Sequence, residues 1–498
     1  MKRSLFAAAA LAALFTTSPV AAQPLGESAV TEAELRAHIA ELASDRYGGR
    51  RPGTEGETLT AHYLATQFQR AGFVAGGEGP MGWYAPVPLL ELTPRSWTLS
   101  ATLASGDVTG FGDDLVLRAP RGEGRIEAAE VVYVGHGIDQ AGAVPTGVQG
   151  RVVLMLASER EGAAVQGLRA RRDLLIDAGA IAILVIADID ASFAGFRRSF
   201  SSGAIQLAEP LNRIAVDGLL SEETGARLLD AGGISPTEAG VLASGPAVAE
   251  PLTLRLTLSA SSTARAYNSY NVVARLPGRV PGSGAILLTG HWDHLGLCRP
   301  EGTADRICNG AVDNASGMAV LIEVARRLAA GRQADRDIWI VGTTAEESGL
   351  LGANWFVANP PIPLTDIRAV LNIDTVAIAP RGATVAIVGR GTTPLDGHVA
   401  AVAASLGRRM VEDDAANAFI RRQDGWAFTQ RGVPAIMAGG SFADPALLQA
   451  FLDGPYHQPT DELTDSLRLG GAADDADLHI ALTRRLASVR LFPGVPHR

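Results

Sequence analysis

Lysine is almost missing from this chain. Lys2 is the only one in 498 residues, so everything after it lacks both a catalytic lysine and the lysine of a phosphate-binding loop. Cysteine is nearly as scarce: Cys298 and Cys308 stand ten apart and there are no others. Aromatic residues make up 5% of the chain, which leaves core packing to aliphatic side chains and alanine. Several catalytic signatures are also absent. There is no H-E-x-x-H helix, no G-x-S-x-G elbow and no convincing Rossmann glycine fingerprint. The formal charge is −10 with no basic patch, which argues against a nucleic-acid partner. After the first 22 residues no stretch is long and apolar enough to cross a bilayer.

Those first residues, MKRSLFAAAALAALFTTSPVAAQ, have a basic start, a short apolar run and small residues at Val20-Ala21-Ala22. The pattern predicts a secretory signal over 1–22, cut after Ala22. The protein is therefore expected to be exported, to the periplasm or the medium. The oxidising compartment, with the short spacing, predicts a Cys298–Cys308 disulfide and leaves no free thiol nucleophile.

Residues 30–94 open with two amphipathic helical patterns, TEAELRAHIAELAS and TEGETLTAHYLATQFQRAGF, separated by the turn-rich DRYGGRRPG. Residues 95–261 change texture. Short β-like runs such as AAEVVYVG, GRVVLML and AIAILVIA predict a separate β-rich module, and SASSTARAYNSY reads as a polar connector leaving it. Over 262–498, strands (AILLTG, DIWIVGTT, AVLNID) alternate with helices (SGMAVLIEVARRLAAG, ADLHIALTRRLASVR). The predicted fold is α/β, a three-layer α/β/α sandwich around a mixed, mostly parallel sheet.

The chemistry gathers where those strands end. His291 and Asp293 follow one strand, Glu346 and Glu347 a second, and Asp374 ends a third; Asp313 precedes a helix and His457 lies in a late loop. Each segment has a bland explanation by itself. Thr344-Ala345-Glu346-Glu347 is a fair capping box at a helix start, and Asp313 could cap the next helix. Together they suit metal chemistry, because open α/β sheets bind ligands beyond their strand C-termini and zinc takes imidazole and carboxylate ligands. In a two-metal site one carboxylate bridges, and Asp313 is the candidate. His291 with Asp374, and His457 with Glu347, would complete the two metals. Glu346 is then free to act as general base, and the Asp293 carboxylate to hold the other nitrogen of the His291 ring. His294 completes H-x-x-H with His291 but is expected not to be a ligand.

The order H-x-D, DNASG, E-E, D, H, with spacings of 22, 33 and 27 residues between its parts, resembles the co-catalytic dizinc aminopeptidases of metallopeptidase clan MH, zinc-dependent exopeptidases. LNIDTVAI and YHQPTD match further segments of that family. The middle region resembles an inserted protease-associated domain. The resemblance implies two Zn²⁺ per chain, the ligand set just given, and peptide substrates with a free amino terminus. It also implies a cis peptide after Asp313 and a substrate-side role for Asp424 and Tyr456. RRQDGWAF departs from the family's S-D-H-x-x-F, so a histidine near the substrate is missing. Other outcomes are a carboxypeptidase, which needs arginines for a substrate carboxylate, a one-zinc glutaminyl cyclase-like acyltransferase, and a receptor-like binding protein. The residues do not indicate an oligomeric state.

Overall fold

The computed structural model describes residues 29–493, except 78–81, 112–113, 164–166, 189–192, 194–196, 198–199 and 202. The expected signal, 1–22, lies outside the described residues. Among those residues no helix is long and apolar enough to cross a membrane.

Six strands form the sheet that carries the site. In spatial order they are Ala386–Val388, Ala435–Gly439, Ile367–Asn372, Ala285–His291, Asp337–Thr343 and the last part of Glu250–Leu276. The central four run parallel and the outer two antiparallel. Side chains alternate in direction along a strand, and here both directions are apolar. Ile286, Leu288, Ile338, Ile340 and Leu371 pack on one side beneath the helices Glu32–Leu42, Glu55–Ala71, Gly317–Ala330 and Gly470–Leu486. Leu287, Trp339, Val341 and Val370 face the other side, against Ala353, Phe356 and Phe428. Helices covering both faces make the three layers expected of a mostly parallel sheet. The first helix starts on a true capping box: Thr31 Oγ1 accepts from Glu34 N–H, and the Glu34 carboxylate accepts from Thr31 N–H at 2.9 Å.

The middle region is built on a long antiparallel ribbon of Tyr84–Thr102 against Glu250–Leu276. From the ribbon the sheet continues through Glu123–Tyr133, Val152–Leu156, Ala182–Ala187, Val216–Ser221 and Leu115–Arg118. Leucine, isoleucine and valine of these strands form two cores separate from that of the first sheet. SASSTARAYNSY is not a connector: it is strand throughout, because its small and polar residues pair with 86–98 along one edge of the ribbon. The register shifts at Ser261/Ser262, where Ser262 faces Pro94. Proline has no N–H to give to a ladder, and such shifts are where sheets bend. Cys298 and Cys308 are joined in a disulfide, beside the short pair Gly296–Leu297 and Ile307–Cys308.

Candidate metal centre

Parallel strands bring their C-termini to one edge. His291 is the last residue of Ala285–His291 and sits beside Thr343, the last residue of Asp337–Thr343. The turn beyond Thr343 carries Glu346 and Glu347, and Asp374 follows Ile367–Asn372 on the other flank. Asp313 lies in the kinked segment Ala311–Ser316, and the Asp313–Asn314 peptide is cis. His457 comes from the loop between Pro445–Asp453 and Gly470–Leu486.

These five residues meet around Asp313. Its Oδ1 lies 3.2 Å from His291 Nε2, and its Oδ2 lies 3.4 Å from His457 Nε2. His291 Nε2 is also 3.5 Å from Asp374 Oδ1, and His457 Nε2 is 2.9 Å from Glu347 Oε2. Asp313 thus turns one oxygen to each histidine, and each histidine has its own second carboxylate. His457 Nε2 is buried and makes no properly aligned hydrogen bond to either neighbouring oxygen. That suits a nitrogen addressing a point between the oxygens, and the donor set is one that zinc accepts. The residues fit a pair of metal ions.

The electrostatics point the same way. Burial would lower the proton affinity of His291, but Glu346, Asp374 and Asp313 raise it well above the usual value. Burial also opposes protonation of His457, yet Asp313 and Glu347 bring it up to about 10. Glu347, although buried and near Asp313, is held down to about 2 by His294 and His457. Burial first, and then Glu347, Asp424 and Asp374, push Glu346 well above the ordinary carboxylate range. A crowd of carboxylates calls for positive charge. Cations at the centre would supply it and release the imidazole protons, as metal binding to histidine does.

Three expectations need correction. Glu346 and Glu347 do not begin a helix, which starts only at Leu351. They occupy a turn set by Ala345 at φ +52° and Leu350 at φ +58°. Thr344 cannot cap, since its hydroxyl lies 2.5 Å from that of Ser269. The Asp293 carboxylate is 3.9 Å from His291 Nδ1, too far for a hydrogen bond; the Asp293 main-chain carbonyl takes that place at 3.1 Å. Asp293 Oδ1 instead accepts the Glu346 N–H at 3.0 Å and so fixes the base-bearing turn. His294, expected not to be a ligand, lies with Nδ1 2.6 Å from Glu347 Oε1, and with Asp313 and Glu347 it makes a group that could hold a metal ion. Its position three residues after His291 was the available signal. Asp424 is 1% exposed and accepts from Thr343 Oγ1 at 2.5 Å. It lies beneath the centre and not along the cavity beside it, whereas Tyr456 does line that cavity and stacks on the His457 ring.

Two supports had no sequence signal of their own. Arg50 is fully buried and donates to the carbonyls of Leu42, Trp292, Asn309 and Gly310, tying the DRYGGRRPG loop to two ligand-bearing loops. Asp461 accepts from the N–H groups of Val312 and Asp313 at 2.9 and 3.1 Å, so the segment that brings His457 also clasps Asp313.

The layered sheet carries at one edge a set of histidines and carboxylates that could hold metal. Residues 271–480 match the model described as peptidase family M28, a likeness of the kind the motif order implied. A probable zinc metalloprotease of Leptosphaeria maculans is 34% identical over 106 residues, and one of Pyrenophora tritici-repentis 29% over 201. These matches cover 21% and 33% of this chain, and the chain spans only 24% and 41% of the two relatives' lengths. A solved structure titled aminopeptidase, from Aneurinibacillus sp. strain AM-1, covers 91% of this chain and 93% of its own at TM-score 0.50 and 18% identity. That is a likeness of fold.

Proposed function

We propose that this protein is an exported aminopeptidase working with two zinc ions. Asp313 would bridge them, His291 and Asp374 would hold one, and His457 and Glu347 the other. The observation that carries the reading is the division of the two Asp313 oxygens between two histidines. When bound, such a metal pair supplies a nucleophilic water at neutral pH and polarises the scissile carbonyl.

The chain's own residues do the rest. Glu346 has no metal to hold, lies 4.0 Å from His291 Nε2, and has its proton affinity raised by burial and neighbouring carboxylates. A carboxylate so placed takes a proton from the attacking water and passes it to the leaving amine. Asp293 keeps the Glu346 backbone in position. A cavity of about 50 Å³ opens beside His291, Glu346 and Asp374, and Phe419, Met437, Phe442 and Phe451 line it. It suits an apolar first residue, whose α-amine would lie near the carboxylates. The middle region, with cores of its own, is taken as the protease-associated insertion.

Glu346→Gln tests the assignment. The variant should keep its zinc and lose roughly 10²- to 10⁴-fold in kcat on leucyl anilide, the range a general base supplies. A near wild-type rate would remove Glu346 from the mechanism.

A further inference from the structure

A second and larger cavity, about 670 Å³, opens on the other side of the same centre. His294 and Glu347 line it, and so do Arg118, Arg169, Arg172 and Asp217 of the middle region. Its volume is that of an ordinary small-ligand site. Arg169 and Arg172 share a face of the helix Leu168–Asp177, while Arg118 ends the strand Leu115–Arg118, opposite Asp217.

The arginine cluster has more cation than its acidic partners use. Arg118 is fully buried, and its Nε and Nη2 both donate to one oxygen, Asp217 Oδ2, at 2.9 and 2.7 Å. Arg172 Nη1 reaches that same oxygen at 3.4 Å, and its Nη2 donates to Gln206 at 2.8 Å. Arg169 spends its donors on the neutral carbonyls of Ser348 and Gly349. Two acids, Asp217 and Asp173, thus stand against three guanidiniums. Among the described residues Arg118 Nη1 and Arg172 Nε have no hydrogen-bond partner, and the Arg118 guanidinium lies over the Phe200 ring, 3.7 Å from its centroid. Burial, with Arg172 and Arg118 close by, pushes Arg169 down to about 10. Unpaired buried donors and an unbalanced buried charge are both costly, and a carboxylate is the group that guanidinium forks take best. Asp217 Oδ1, equally unpartnered, is left to accept an N–H. The end of a peptide carries both groups.

We propose that this cavity is the leaving-side subsite, and that Arg118 and Arg172 bind a carboxylate of a short peptide substrate, foremost the one at its C-terminus. The proposal rests on the aminopeptidase reading, which puts the first residue in the small cavity beside His291, Glu346 and Asp374 and the rest of the peptide here. Arg169, hydrogen-bonded to the two residues after Glu347, holds the subsite at a fixed place relative to the centre. Short peptides with a free C-terminus are then the preferred substrates, ahead of amidated ones.

The test compares kcat/KM for Leu-Gly-Gly, Leu-Gly-Gly-amide and Leu-Gly-Asp-amide on the zinc-loaded protein. Leu-Gly-Gly should lead its amide by at least about tenfold, the worth of one hydrogen bond to a charged group. In Arg172→Gln that ratio should collapse toward unity. Leu-Gly-Asp-amide assigns the source: a rate like that of Leu-Gly-Gly means a side-chain carboxylate also serves, and a rate like that of the amide restricts the subsite to the chain end. A wild-type ratio near one, or an unchanged ratio in Arg172→Gln, overturns the proposal. Calorimetric titration of the wild-type protein with Gly-Gly and with Gly-Gly-amide reads the subsite without turnover, so it decides even if Arg172→Gln does not fold. Gly-Gly must bind more tightly, and equal binding overturns the subsite. Cleavage of blocked peptides in preference to free ones would sink the aminopeptidase reading, and the titration would still decide the subsite.

Discussion

At the scale of single residues, burial decides what each titratable group does. His479 and Asp475 show this away from the metal centre. His479 is 1% exposed and bonded through Nδ1 to the Asp475 carbonyl; burial first, and the Arg408 cation, bring it from 6.5 down to about 4. Its folded value is depressed, so its contribution to stability is complete above pH 6.5 and is lost as pH falls through 4. Over that window the loss should approach about 3 kcal/mol. Asp475 is shifted the other way, up to about 6, but that term is common to wild type and variant. Urea unfolding of His479→Gln between pH 7 and 4 should therefore show a shallower acid-side decline than wild type. Equal slopes would contradict the burial account. Residues of this kind are poorly legible in sequence. His479 reads as one more helical histidine, and Arg50 as one arginine in a run, because what matters is the tertiary surroundings.

At the scale of elements, the buried parallel strands were legible, and one long strand and one turn were not. AILLTG and DIWIV are apolar in both alternating directions, which only a strand covered on both faces requires. The turn after Thr343 was misread because Thr-x-x-Glu is also a helix-start pattern. What overrides it is tertiary: Ser269 occupies the Thr344 hydroxyl, Asn271 accepts the Thr344 N–H at 3.0 Å, and Asp293 accepts that of Glu346. The long strand 250–276 was misread over SASSTARAYNSY because pairing to a partner can carry small polar residues that have little strand preference of their own. Close packing holds the Glu346–Glu347 turn. A Cβ on Gly352 would come 2.3 Å from the Thr344 carbonyl oxygen and 2.5 Å from Asn271 Oδ1. Gly352→Ala should therefore lower peptidase activity at least about tenfold, since small misplacements of catalytic groups are that costly. Gly240→Ala, in the helix Pro236–Ser244 with nothing within 4 Å of the new Cβ, should leave activity alone and raise stability by about 0.5–1 kcal/mol. Parallel anilide assays and melting curves separate the two.

At the scale of the molecule, two lobes share one continuous sheet and meet at one centre. The lobe with the parallel strands supplies every proposed metal ligand, and the middle region supplies Arg118, Arg169 and Arg172 of the larger cavity. Arg169 joins them by its bonds to Ser348 and Gly349. The residues of the proposed centre stood out in the sequence because most of them follow a strand or sit in a recognisable short motif. The cavity was not, because Arg118, Arg169, Arg172 and Asp217 come from three elements that only the fold assembles. The central claim is that two metals and Glu346 cleave peptides from a free amino terminus. Titrating the metal-free chain with zinc, and reading cleavage of leucyl anilide and its N-acetyl derivative at each step, tests it most directly. Activity on the free-amine substrate should rise to saturation at two zinc ions per chain, with the acetylated substrate uncleaved throughout. Saturation at one ion, or equal cleavage of the two substrates, would contradict the account.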